Sequence, residues 1–225
     1  MKITWLGQAG LMMETGGKII FIDPYLSNSV AKINPLNFRR VPVEERFLHI
    51  KPDVIICTHN HLDHVDPETL KYYLEGDCSV TVLASAAAWE EVRKFGGKHN
   101  YLRFNRHTEI TLGDIRFIAV KAEHSDPHSI GVIIEAEGKR YYVTGDTLYN
   151  TEIFEDIPGQ IDMLFLPVNG VGNNMNMADA KRFCERIKPS VAVPIHCGLF
   201  DEIDMNEFGY EPKIVPRIYQ EIIYI

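Results

Sequence analysis

The sequence lacks three things whose absence narrows what it can do. It has no apolar run approaching the length of a transmembrane helix, so no membrane partner is expected. Its four cysteines, Cys57, Cys78, Cys184 and Cys197, form no C-x-x-C pair and no spacing that resembles a disulfide framework. That pattern reads as four reduced thiols and places the chain in the cytoplasm, as does an opening, MKITWLGQAG, without the apolar stretch of a signal peptide. Basic charge is also short: 23 Lys and Arg stand against 31 Asp and Glu, a net charge of -8, which argues against a general affinity for nucleic acid and leaves room for a local basic pocket. What remains is an ordinary globular composition, 45% apolar and 24% charged, in a chain of 225 residues that can bury a sizeable core.

Short runs rich in Ile, Val and Phe predict strands near 2–6, 10–14, 18–22, 53–57, 80–84, 115–121, 130–136, 139–144, 162–166 and 191–195. Helices are expected near 67–75, 85–95, 177–187 and 212–219, the first started by Asp66 as a cap and Pro67 at the first helical position. Residues 24–52, broken by Pro24, Pro35 and Pro42, read as irregular. Gly10, Glu14, Gly17 and Lys18 precede a strand ending at Asp23, and Gly131, Glu135, Gly138 and Lys139 repeat that spacing ahead of Asp146. Two readings stand: two similar halves packed face to face, or Gly-Lys hairpins that match by chance.

The strongest signal is His59-Asn60-His61-Leu62-Asp63-His64, three of the nine histidines within six residues. The run follows a buried strand and precedes a capped helix, so it occupies a strand-to-helix turn. Imidazole and carboxylate are the usual donors to zinc and similar ions. His59 and His61, two apart in extended chain, can grip one ion, and Asp63 and His64 lie a step further round. His124, Asp146 and His196 each follow the carboxyl end of a predicted strand, as His59 does, and strand ends on a rigid scaffold are where sites are built. His128 competes with His124 as a ligand or substrate contact; His49, His99 and His107 read as surface residues.

These residues resemble the metallo-β-lactamase superfamily: H-x-H-x-D-H at 59–64, a later His124, Thr-Gly-Asp-Thr at 144–147 and a last His196, in family order across nearly the whole chain. The resemblance implies an α/β fold, a four-layer αββα sandwich formed by one domain over 1–225, with metals at one edge of its two sheets. It implies that His59, His61 and His124 hold one ion, that Asp63, His64 and His196 hold the other, and that Asp146 bridges them. The lactamases proper carry Cys where Asp146 stands, the diiron branch carries an acid where Asn60 stands, and the nucleases carry an inserted domain for which this chain has no room. Trp5-Leu6-Gly7-Gln8-Ala9-Gly10, Ile22-Asp23-Pro24 and Asn169-Gly170-Val171-Gly172-Asn173-Asn174-Met175 are similar to the L-ascorbate-6-phosphate lactonase group.

The expected activity is therefore hydrolysis of a small, anionic, phosphorylated lactone or ester by water activated on two divalent ions, Zn²⁺ or Mn²⁺, with iron allowed by the same donors. Asp63 is the expected catalytic residue, binding metal and managing the water's proton. Asp23 is either a partner that orients a ligand histidine or a turn residue before Pro24. Lys32, Arg39 and Arg40 form either a phosphate patch or a solvated loop; the backbone of 169–176 either binds an anion or caps a helix. Gln8, Arg39, Arg40, His128 and Asn169 complete the expected substrate contacts. The partner is a small molecule, and a homo-oligomer is compatible with all of this. A phosphodiesterase with a more basic groove, and a non-hydrolytic metal-binding or redox protein, are the competing functions.

Overall fold

The computed structural model describes residues 1–76 and 78–224. The first sheet opens as an antiparallel meander of β1 (Lys2–Gly7), β2 (Gly10–Thr15) and β3 (Lys18–Ile22). It then adds β4 (Val54–Cys57), β5 (Thr81–Ala84) and β6 (Asn100–Arg103) in parallel. Parallel neighbours need crossovers, and these carry α1 (Ser29–Ile33), α2 (Pro67–Leu74) and α3 (Ala86–Val92). The second sheet follows the same plan. β7 (Glu109–Leu112), β8 (Ile115–Lys121), β9 (Ile130–Ala136) and β10 (Lys139–Val143) run antiparallel, and β11 (Met163–Pro167) and β12 (Val191–Ile195) are added in parallel around α4 (Met177–Ile187).

Three apolar layers hold four structural layers together. Between the sheets lie Trp5, Leu11, Ile22, Ile56, Phe117, Val132, Phe165 and Val193, among others. Outside the first sheet, Phe21, Ile55, Leu70, Tyr73 and Ala88 seat α2 and α3. Outside the second, Ile133, Tyr142, Leu164, Phe183 and Cys184 seat α4. Each Val, Leu, Ile or Phe among them contributes about 1.5–3 kcal/mol on full burial. β4, β11 and β12 are buried along their whole length, the reason they read as unbroken apolar runs rather than alternating ones. The architecture is the αββα sandwich expected.

The repeated spacing has a topological counterpart. The β2–β3 hairpin closes at Thr15 opposite Lys18, and the β9–β10 hairpin at Ala136 opposite Lys139, so the two motifs occupy matching places in their sheets. Two expectations fail. Residues 212–219 form no helix: Pro216 interrupts the segment, which runs extended and covers sheet edges instead. Ile214 N–H donates to Ala192 O on β12, and Ile222 N–H donates to Ile3 O on β1, so one C-terminal strap satisfies exposed edges of both sheets. The stretch 24–52 is largely irregular but contains the short α1.

Candidate metal centre

The carboxyl ends of β3, β4, β8, β10 and β12 lead into Asp23, His59, His124, Asp146 and His196. The 59–64 turn is tightened locally. His64 N–H and Val65 N–H both donate to His61 O, at 3.0 and 2.8 Å, and Asp66 caps α2 through Glu68 N–H and Thr69 N–H. The two halves meet at Thr58 and Gly145. Ile130 N–H donates to Thr58 O at 3.1 Å, and a β-carbon on Gly145, where φ is +62°, would stand 2.6 Å from Ile130 O. Only glycine fits there, and it sets Asp146 against the 59–64 turn.

The imidazoles of His59, His61 and His124 form a nearly equilateral triangle, with ring centroids 4.6, 4.6 and 4.8 Å apart. Nε2 of His64 lies 3.7 Å from Asp63 Oδ2, and Nε2 of His196 lies 3.5 Å from the same oxygen. Between these sets stands Asp146, whose carboxylate oxygens are 3.3 Å from His64 Nε2, 3.0 Å from His196 Nε2 and 4.0 Å from His59 Nε2. Within each of three sets, His59–His61–His124, His59–His64–Asp146 and Asp63–His64–His196, one donor atom per residue lies within 4.8 Å of the others. The structure thus brings together all seven expected donors.

The chemistry of these donors fits divalent cations. His59 Nε2 is buried without a hydrogen-bond partner, and so are His64 Nε2 and Asp146 Oδ1, which stand 3.3 Å apart without the alignment of a hydrogen bond, an arrangement costly enough to be rare unless something else satisfies the atoms. Neutral imidazole and carboxylate in these proportions suit Zn²⁺, Mn²⁺ or iron.

The charges are strongly coupled. Burial on its own would raise the Asp146 carboxyl, but the His196 and His64 imidazoles outweigh it and hold Asp146 well below the usual carboxylate range. Asp63 is held low in the same way by His64 and His196 against burial. Burial pulls His196 down, yet Asp146 and Asp63 push it up to about 10. His59 goes the other way: burial first, then the neighbouring His64, keep its ring well below the ordinary histidine value. The carboxylates are therefore held in their charged, ligating form.

Polar partners fix the donors in turn. Asp23 accepts from Thr58 N–H at 2.8 Å and from the Thr58 hydroxyl at 2.6 Å, and its Oδ2 lies 2.8 Å from His64 Nδ1. The same hydroxyl lies 3.1 Å from His59 Nδ1, so Asp23 and Thr58 together set two ligand rings. Asn174 Nδ2 donates to Asp146 Oδ2 at 2.9 Å, and Asn169 Nδ2 lies 3.1 Å from His196 Nδ1. Gln8 Nε2 donates to Asp63 Oδ2 at 3.0 Å. Gln8, Asp23 and His196 all have positive φ, at 51°, 43° and 61°, a backbone conformation such residues adopt only when the surroundings impose it. Thr58 and Asn174 were not singled out from the sequence. Thr58 directly precedes the histidine run, and Asn174 lies in the Asn-rich loop that drew notice for its backbone.

For several other residues the structure favours one of the two readings. Arg39 donates to Tyr25 O, Val41 O and the Tyr219 hydroxyl, while Arg40 pairs with Glu202 and Lys32 with Glu68. These residues brace the 24–52 segment and form no phosphate patch. His128 is exposed and joins none of the donor sets, which leaves His124 as the ligand candidate. The 169–176 loop is braced by Gly170 N–H, which donates to Met175 O, and by Met175 N–H, which donates to Thr147 O, and the Asn176 side chain caps α4, the helix-cap alternative. Cys57 and Cys197 are buried thiols, pushed well up by burial, and lie outside all three donor sets.

Above the donors lies a cleft of about 400 Å³ whose walls include Gln8, His61, Asp63, Asn169, Val171 and Asp201. No lysine or arginine lines it among the described residues. None of the described helices is long and apolar enough to cross a membrane.

Residues 2–196 match the beta-lactamase superfamily domain. A UPF0173 protein of Pyrococcus furiosus is 31% identical over 217 residues, covering 94% of this chain and 90% of its own. A UPF0173 metal-dependent hydrolase of Saccharolobus solfataricus is 30% identical, covering 95% and 96%. Among solved structures, the metallo hydrolase Igni18 of Ignicoccus hospitalis superposes with a TM-score of 0.76 at 22% identity, over 98% of this chain and 97% of its own. The isothiocyanate hydrolase from Delia radicum gut bacteria superposes with the same TM-score at 17% identity, over 100% and 99%. Those two likenesses establish a shared metallo-β-lactamase fold. With the full-length relatives and the domain match, they lead to one conclusion: the chain belongs to the UPF0173 family of metal-dependent hydrolases, within the beta-lactamase superfamily.

Proposed function

We propose that the protein hydrolyses a small carboxylic ester or lactone using two divalent cations, zinc or manganese. His59, His61 and His124 would hold one, Asp63, His64 and His196 the other, with Asp146 shared. The observation that carries this is the convergence of seven donors on one cleft, three of them with buried atoms that no protein group satisfies. Cations in these sets supply Lewis acidity, which acidifies water and polarises a carbonyl oxygen.

The chain's own groups do the rest. Asp63 stands in the cleft wall, steadied through Oδ2 by the Gln8 amide, where it can orient water and take its proton. Asp23 and Thr58 keep two imidazoles aimed inward, and Asn174 and Asn169 do the same for Asp146 and His196. The cleft lining favours a carbonyl substrate over a phosphodiester, which needs a more basic groove than walls without lysine or arginine supply. A phosphorylated substrate loses its support along with the Arg39–Arg40 patch. The net charge of -8 suits a small molecule rather than nucleic acid, and four cysteines without a disulfide suit a reducing cytoplasm.

The test is turnover of a panel of lactones, 4-nitrophenyl esters and bis(4-nitrophenyl) phosphate by protein stripped of metal and then refilled with zinc or manganese. Ester or lactone turnover should vanish on stripping and return on refilling. Turnover indifferent to chelation, or phosphodiester cleavage faster than every ester, overturns the reading. In metal-loaded protein, Asp63→Ala should lower kcat by about 10²-fold or more, the scale of general-base catalysis, with the melting temperature nearly kept.

A further inference from the structure

Large apolar residues gather at the mouth of the cleft. Val171 lines it, and Asn37, also in the lining, is flanked in sequence by Leu36 and Phe38, both among the large apolar residues exposed in the described part of the chain. Leu36 is 80% exposed and Val171 is 63% exposed. Val30 and Phe200 continue this apolar surface inward. Scattered single apolar residues on a surface are ordinary; a cluster around one opening marks a contact site.

Beyond the donor cluster, the one charged side chain that lines the cleft among the described residues is Asp201. Its Oδ1 accepts from Gly198 N–H at 2.8 Å and Ile203 N–H at 3.0 Å. The nearby cations, Lys32, Arg39 and Arg40, are all engaged elsewhere. We infer that the mouth of the cleft takes an uncharged, apolar chain of the substrate, running from the donor cluster out between Val30 and Val171, and that Asp201 turns anionic chains away. This rests on the hydrolytic reading above, whose substrate it narrows to neutral esters or lactones with an alkyl or aryl substituent.

The experiment compares 4-nitrophenyl acetate, butyrate and hexanoate with the monoanionic 4-nitrophenyl hydrogen adipate, on metal-loaded protein. Burial of each methylene should raise kcat/KM about two- to fourfold along the neutral series. The adipate ester should lie at least about tenfold below the hexanoate, the scale of one like-charge clash. Val171→Asp, at a position exposed enough to keep the fold, should flatten the length series. Asp201→Asn, whose amide oxygen can still accept the two backbone N–H groups, should narrow the hexanoate-to-adipate ratio. A flat series, or an adipate ester preferred over the hexanoate, overturns the inference.

Binding separates this inference from the hydrolytic one. If no ester is turned over, hexanamide that shifts the methyl NMR signals of Val30 and Val171, where acetamide does not, sinks the hydrolytic reading and leaves the chain site standing; equal silence from both amides sinks the chain site. Sedimentation addresses the other occupant of an apolar collar. An oligomer that Val171→Asp dissociates while the length series stays intact makes the collar a contact between copies and overturns the inference.

Discussion

In the first sheet a single turn, residues 59–64, delivers four of the seven donors, held by a cap at Asp66 and by bonds to His61 O. In the second sheet the three donors, His124, Asp146 and His196, come from three separate strand ends and are held by remote groups, Asn173 O, Asn174 and Asn169. The halves share a strand plan yet supply the centre differently: one as a local motif, the other as a consequence of sheet geometry. The motif leans on Asp23 and Gln8, both from its own sheet, so it can be set without the other half. Dispersed donors become a site only when the sheets dock.

The largest test of this contrast is Asp146→Ala. Asp146 faces His59 and His64 across the seam and His196 on its own side, so its removal should lower metal affinity by more than the 10–100-fold typical of a supporting partner, and activity with it, as metal titration of the purified variant would show. If the loss is small, the second half is not an equal contributor. Next comes Asp23→Asn, which weakens the two rings of the local motif at once. Metal affinity should fall about 10–100-fold, more than for Asn169→Ala, which touches one ring. Equal effects would erase the distinction between the halves.

The smallest effect concerns bracing. Burial would raise the Asp156 carboxyl, but Arg106, the Lys121 backbone N–H at the end of β8 and His107 together hold it below the usual range. Lys121 leads directly to His124, so Asp156 supports a dispersed donor from a distance. Asp156→Asn should cost roughly 1–3 kcal/mol at neutral pH, read from urea midpoints. A folded value below the unfolded one gives a contribution that is full above about pH 4 and drains away as pH falls through the depressed folded value. The gap between wild type and variant should therefore close on acidification, and a gap that widens would remove this brace.

The same contrast explains what could be read before folding. The 59–64 cluster declares itself by density alone. His124, Asp146 and His196 were legible only because each follows an apolar run, which made strand ends countable. The core strands were legible for the same reason, whereas β6 and β7 were not: both are four-residue edge strands without a fully buried residue, so Asn100–Arg103 and Glu109–Leu112 present no apolar run long enough to mark a strand. The 212–219 segment misled because its Ile and Val spacing imitates a helix face, while backbone bonding to β12 decides its extended path. Arg39 misled through its charge. Nothing local reveals that its guanidinium is committed to Tyr25 O and the Tyr219 hydroxyl, the latter 180 residues away. Thr58 and Asn174 act through contacts that sequence order alone cannot locate.

The seam where Gly145 passes Thr58 also makes the donor cluster a staple. With candidate ligands on both sheets, cation uptake and docking of the halves would be one linked equilibrium, so each ion bound to the folded form would strengthen the sandwich by mass action. Stripping the ions should then loosen a whole layer-to-layer interface rather than empty a local pocket, and any substitution that parts the sheets, however distant, should register as weaker grip on the cations.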